Sequence, residues 1–184
     1  RDSSFSESNK NAAVGLFEAA NTWGVFAGKN EKETKINDFL NPGFTSVIDL
    51  SVYNSVGAFN VRALVIGILC KKIFNDRNIS RKKEEVDSVR HGVDYLSYGQ
   101  ERETPLVWIF IDEAHEFLPK EGKTSATDAL IQILREGRQP GLSLVLATQQ
   151  PGQIHRDVMT QSDIIISHRL TAQPDILALN DIMQ

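Results

Sequence analysis

Two adjacent acids, Asp112 and Glu113, close a run of six apolar residues at 106–111. Neighbouring side chains on an extended chain point to opposite sides, so the two carboxylates can divide two tasks. One can hold a hydrated magnesium ion and the other can polarise a water. Thr148 and Gln149 close a second, largely apolar run at 142–147. A neutral amide there can orient an attacking water or sense a terminal phosphate without adding negative charge. Arg135 and Arg138 flank Gly137 near the end of a helical pattern. Phosphoryl transfer is catalysed mainly by positioning and charge stabilisation, and an arginine from a neighbouring subunit contributes a factor of about 10³–10⁵ in rate. Plainer roles stand beside each of these. The acids could be solvated, Gln149 could bond backbone in a turn, and Arg138 could be a surface residue. Arg135 could pair with Glu136 or with the helix C-terminus, which favours cations.

The elements that would position these groups follow from pattern. Residues 106–111 read as a strand buried on both faces, as in a parallel sheet. Ligands bind at the carboxyl ends of such strands, which is where Asp112 and Glu113 fall. This is the Walker B arrangement of nucleotide-hydrolysing P-loop proteins. Residues 45–50 and 163–168 are further strand candidates, and 142–147 a second buried strand. Helices are predicted over 11–20, 60–74, 154–159 and 175–181. A further helix follows a capping-box sequence at 125–128, with Ala126, Ala129, Leu130, Ile133 and Leu134 at helical spacing and Gly137, Pro140 and Gly141 closing it. Between 75 and 104, thirteen of 30 residues are charged, six basic and seven acidic, which predicts a solvated helix end and an exposed loop. Such alternation gives an α/β fold, a parallel sheet with helices on both faces. The acid pair, Gln149 and the two arginines are expected at one edge of that sheet.

Composition is that of an ordinary globular chain. Its 184 residues suffice for one core, and the net charge of −4 supplies no global basic field for nucleic acid. Cys70, the single cysteine, sits in an apolar run and excludes an intrachain disulfide. No stretch has the length of a membrane span and the first residues lack a signal-peptide pattern, so a cytoplasmic protein without membrane contact is expected. Residues 24–30 hold Gly24, Gly28 and Lys29, but three residues rather than four separate the glycines and Asn30 follows the lysine. That spacing predicts a turn, not a phosphate loop.

Glu-Gly-Arg-Gln at 136–139, Leu-Val-Leu-Ala-Thr-Gln-Gln-Pro at 144–151 and the stretch 156–170 resemble the HerA branch of the HerA/FtsK hexameric ATPases. So does Asn-Pro-Gly-Phe-Thr-Ser-Val-Ile-Asp-Leu-Ser at 41–51. The resemblance covers roughly residues 40–184. It implies a RecA-like core over 45–184 behind a helical and irregular lead at 1–44. It also implies a homo-hexamer using ATP and magnesium, movement along duplex DNA in end processing, and a nuclease partner. By position Asp112 resembles the magnesium acid, Glu113 the catalytic base, Gln149 the sensor glutamine and Arg138 the arginine finger. Thr148 and Arg135 are taken as nucleotide-binding neighbours. Two departures stand out. Gln150 occupies a place where the family often has arginine, and no Walker A pattern occurs in these residues. The chain is therefore expected to be part of a longer ATPase, the sheet lacking its Walker A strand and the piece alone inactive. Two rival readings remain. Asp-Glu-Ala-His at 112–115 spells the signature of superfamily 2 helicases, with His115 beside the site, and a non-hydrolysing scaffold could keep the same fold.

Overall fold

A computed structural model describes residues 7–28, 31–51, 59–91 and 103–181. The chain divides into two compact units, Arg1–Lys35 and Ile36–Gln184. The first contains helix α1 (Glu7–Asn21), which includes the predicted 11–20 segment. Gly24 turns the chain with a positive φ of 67°, as the turn reading requires; Lys29 and Asn30 lie outside the described residues.

The second unit carries the site. Its elements are α2 (Phe59–His91), β1 (Val107–Ile111), α3 (Thr127–Glu136), β2 (Leu142–Leu146), α4 (Arg156–Gln161) and α5 (Gln173–Asn180). β1 and β2 pair in parallel, from Val107 opposite Leu142 to Ile111 opposite Leu146. Alternate residues face one way: Val107, Ile111 and Leu142 join a buried cluster with Ala63, Cys70, Ile73 and Phe74 of α2 and Leu130 and Ile133 of α3. Each such aliphatic side chain taken from water contributes roughly 1.5–3 kcal/mol. Gly67 lets α2 and α3 approach, since a Cβ there would stand 2.5 Å from the Ser125 carbonyl oxygen.

Several expectations are corrected. The strand at 106–111 is buried on one face only: Trp108 and Phe110 are 66% and 70% exposed, and their rings stack on each other 6.4 Å apart. Among the described residues helices cover one sheet face, not both. A continuous apolar run therefore does not certify two-sided burial. Residues 45–50 and 163–168 form no strand, because extended backbone becomes sheet only with a ladder partner. They find none among the described residues, and Val47, Ile164 and Ile166 are exposed.

The predicted 60–74 helix runs on to His91, so residues 75–91 are helix rather than loop. Arg81 supports that extension by pairing with Glu84 and Glu85, three and four residues on. The segment 92–102 lies outside the described residues. At the start of α3 the N-cap position is Ala126, without a side-chain cap bond, and two threonines hold the turn before it instead of the predicted 125–128 box. The Thr124 hydroxyl accepts from Ala126 N (3.2 Å) and the Thr127 hydroxyl accepts from Thr124 N (2.9 Å). Asp128 instead pairs with Lys123, whose ammonium holds the carboxyl below its usual range. No helix among the described residues is long and apolar enough to cross a membrane.

Candidate functional site

The carboxyl edge of the β1–β2 pair gathers the acids and the amide. Beyond the strands the ladder continues, Ala147 N bonding to Ile111 O and Ala114 N to Ala147 O, each at 2.9 Å. The chain must therefore leave β1 and return to bonding distance within two residues. Glu113 absorbs that reversal in the left-handed region, at φ 49° and ψ 44°, alone among described non-glycine residues in having positive φ. Such a conformation costs about 1–3 kcal/mol and clusters at functional sites. The Glu113 carboxylate accepts a hydrogen bond from the Gln149 amide through Oε1. Its Oε2 is buried without a hydrogen-bond partner, although His115 Nδ1 lies 3.5 Å away.

The neighbouring groups are held in turn. Asp112 is exposed, and one of its oxygens accepts from Glu113 N at 2.9 Å. Thr148 Oγ1 lies 2.9 Å from His115 Nδ1 and accepts from Gln150 N at 3.1 Å. His115 thus ties the two strand tips together as a hydrogen-bonding neighbour, the role expected for it. The Thr148 hydroxyl is engaged within the protein. Among the described residues no three His, Cys, Asp or Glu cluster as a metal cage. Asp112 presents an exposed carboxylate at this edge, a donor of the kind that suits magnesium, which keeps several waters and is bound through one or two carboxylates plus substrate phosphates.

The two arginines do not share this edge, contrary to expectation. α3 returns from the carboxyl edge to the start of β2, as a crossover between parallel strands must, so Arg135 and Arg138 lie at the amino edge. Five residues at about 3.3 Å each put the two edges roughly 16 Å apart. Arg135 bonds Asp157 of α4, with Nε at 2.8 Å. Arg138 is exposed on the turn between α3 and β2, its side chain without a partner among the described residues.

That turn is tightly specified. Gly137 N bonds to Ile133 O and Leu142 N to Gly137 O, both at 2.8 Å. Gly141 has φ 83°, and a Cβ there would collide with Leu106 Cδ2. Its carbonyl receives Val107 N at 3.2 Å. Arg77 of α2, 1% exposed, donates from Nε to Pro140 O at 2.8 Å. Sequence reading missed Arg77 by folding it into a solvated charge run. The signal was its place: it follows Cys70, Ile73 and Phe74 at helical spacing, on the buried stripe.

The sequence profile of the family described as zonular occludens toxin (Zot) matches residues 59–172. The DNA double-strand break repair helicase HerA of Pyrococcus furiosus is 27% identical over 146 residues, 74% of this chain and 26% of that protein. The probable DNA double-strand break repair helicase HerA of Methanocaldococcus jannaschii is 38% identical over 72 residues, 39% of this chain and 14% of that protein. HerA of Sulfurisphaera tokodaii is 26% identical over 147 residues, 72% and 27% of the two chains. The chain spans about a quarter or less of the length of these relatives. Over the matched segment lie α2, both paired strands, the acid pair and the Gln149 tip, and the chain, similar to HerA proteins over this stretch, belongs to the zonular occludens toxin (Zot) family.

Proposed function

We propose that the intact protein hydrolyses ATP with magnesium and uses the energy to move along duplex DNA. Glu113 accepts a proton from the attacking water through its carboxylate. Gln149, which bonds the same carboxylate from the next strand, positions that water and meets the terminal phosphate when nucleotide arrives. Asp112 orients magnesium through its water shell; the ion, when bound, offsets charge on the phosphates. Arg138 stabilises phosphoryl charge in the site of an adjacent subunit, since about 16 Å of sheet separates it from Glu113 of its own chain. That division of labour requires a ring, which we take to be a homo-hexamer. The names of the relatives extend the reading to repair of DNA double-strand breaks; we add to it a cytoplasmic location and a nuclease partner that processes ends.

The observation that carries the proposal is the Gln149–Glu113 hydrogen bond between the tips of adjacent parallel strands. Steady-state phosphate release by the intact protein, with and without magnesium and linear duplex DNA, tests it. Hydrolysis should need magnesium and rise with duplex. Glu113→Gln should lower turnover by about a hundredfold or more, the usual worth of a positioned base, while nucleotide affinity stays within a few fold. Turnover unchanged by Glu113→Gln would take the base role from Glu113, and no magnesium-dependent hydrolysis by the intact protein would leave the scaffold reading in possession.

A further inference from the structure

One guanidinium lies where both paired strands begin. Arg77 donates from Nε to Pro140 O at 2.8 Å and from Nη1 to Thr104 O at 2.5 Å. Nη1 also bonds Glu84 Oε1 at 3.0 Å, one helical face further along α2. Pro140 belongs to the turn that presents Arg138, and Thr104 stands just before β1. A buried cation is costly, and a purely stabilising core position is served as well by an apolar side chain. What an apolar residue cannot do is hold two carbonyls of separate segments in one plane. The fork of Arg77 does so with donors fixed at set angles. Its Nη2 also reaches within 3.8 Å of the place a Gly141 Cβ would occupy, so the turn is closed against it. Arg138, two residues from Pro140, has no side-chain partner among the described residues to fix its direction; the backbone that carries it is fixed through Arg77.

We infer that Arg77 is a positioning residue for the trans-acting arginine, holding the 137–141 turn so that Arg138 reaches a neighbouring subunit's phosphates. The inference rests on the proposed inter-subunit role of Arg138. Its signature is a complementation pattern that a merely structural role would not produce. A subunit with a loosened Arg77 clamp keeps its own Glu113 and Gln149 but supplies a poor arginine. It should therefore behave as Arg138→Ala does, not as Glu113→Gln does.

The test uses the full-length protein in mixed rings. Arg77→Lys keeps the charge beside Glu84 but cannot span both carbonyls. Alone it should lower turnover at least tenfold with nucleotide affinity, read by a fluorescent ATP analogue, within threefold. Mixed with Glu113→Gln subunits it should regain activity; mixed with Arg138→Ala subunits it should not. Wild-type turnover, or rescue by Arg138→Ala subunits, overturns the inference. The control mixture of Arg138→Ala with Glu113→Gln separates the two claims: no rescue there defeats the trans role of Arg138 itself, and the inference about Arg77 falls with it. Should Arg77→Lys fail to assemble, Arg77→Gln carries the same readouts, because its short amide cannot span the Pro140 and Thr104 carbonyls and leaves no buried cation behind. A loss of at least tenfold in the Arg138 complementation group supports the inference, and unchanged turnover overturns it in favour of a brace that serves folding alone.

Discussion

The two ends of the β1–β2 pair use similar groups in opposite ways. At the carboxyl end the polar groups are exposed or only partly satisfied. Glu113 sits in left-handed backbone with one oxygen lacking a donor, and Asp112 faces solvent. At the amino end satisfaction is nearly complete: Arg77 bonds two carbonyls and an acid, and the glycines close a turn around it. Yet on that braced turn the exposed Arg138 has no side-chain partner among the described residues. Loose groups on one edge suit chemistry on an incoming substrate, and a rigid base under a free arginine suits action on something outside the chain.

The largest expected effect tests the carboxyl edge. Gln149→Glu sets a second carboxylate against Glu113, and like charges at that range cannot both ionise cheaply. Turnover of the intact protein should fall by about a hundredfold or more, the range for losing a positioned polar group in an active site. It should also fall further than in Gln149→Ala, which only removes the amide. Equal losses in the two variants would mean that the second charge adds nothing to the lost hydrogen bond, and unchanged turnover in Gln149→Ala would mean that this hydrogen bond plays no part.

On the amino edge the corresponding break is in stability. Gly141→Ala must place a Cβ at φ 83° and against Leu106. Leu106 is half exposed and can swing its terminal methyl aside, so the left-handed conformation sets the cost, and a loss of roughly 1–2 kcal/mol is expected from the urea midpoint. Gly122, also at positive φ, has open space around the same atom. Gly122→Ala should therefore cost about as much, and a much larger loss at Gly141 would show that Leu106 cannot give way.

Beneath both edges Cys70 supplies a smaller, pH-dependent effect. Burial pushes its thiol from 9.0 up to about 12, because the thiolate would lose its hydration. The folded pKa is raised, so the neutral thiol's contribution is full below pH 9 and declines as the unfolded chain begins to ionise. At pH 10 the loss from this group is about 1.4 kcal/mol, one pKa unit's worth. The difference in urea stability between pH 8 and pH 10 should be larger for the wild-type chain than for Cys70→Ala by about that amount. Matching pH dependences in the two chains would place Cys70 in a wetter site.

How much of this was legible beforehand depends on which physics decides. The acid pair, Gln149 and their parallel strands were readable because a strand tip is fixed by local pattern. The opposed edges followed from connectivity, but reading the arginines as a motif hid that a crossover helix ends where the next strand begins. Residues 45–50 and 163–168 carry strand composition without a ladder partner among the described residues, and composition cannot report a partner. Trp108 and Phe110 look like core by type, whereas only packing decides whether a face is covered. Arg77 was lost in a run of charges, although its spacing from Cys70 and Phe74 placed it on the buried stripe.

The smallest effect concerns Arg135, and it sharpens the division between the edges most cheaply. Sequence pattern made it a nucleotide-binding neighbour; the structure engages it with Asp157, while its own side chain remains more than half exposed. An exposed ion pair contributes about 0.2–1 kcal/mol and weakens with salt. A double-mutant cycle on Arg135→Ala and Asp157→Ala should give a coupling in that range, fading toward zero as ionic strength approaches 1 M. Nucleotide affinity of the intact protein should then shift less than threefold in either single variant. A loss of affinity of tenfold or more in Arg135→Ala, absent in Asp157→Ala, would return Arg135 to the phosphates. It would also mean that the amino edge contributes two arginines rather than one to a neighbouring subunit.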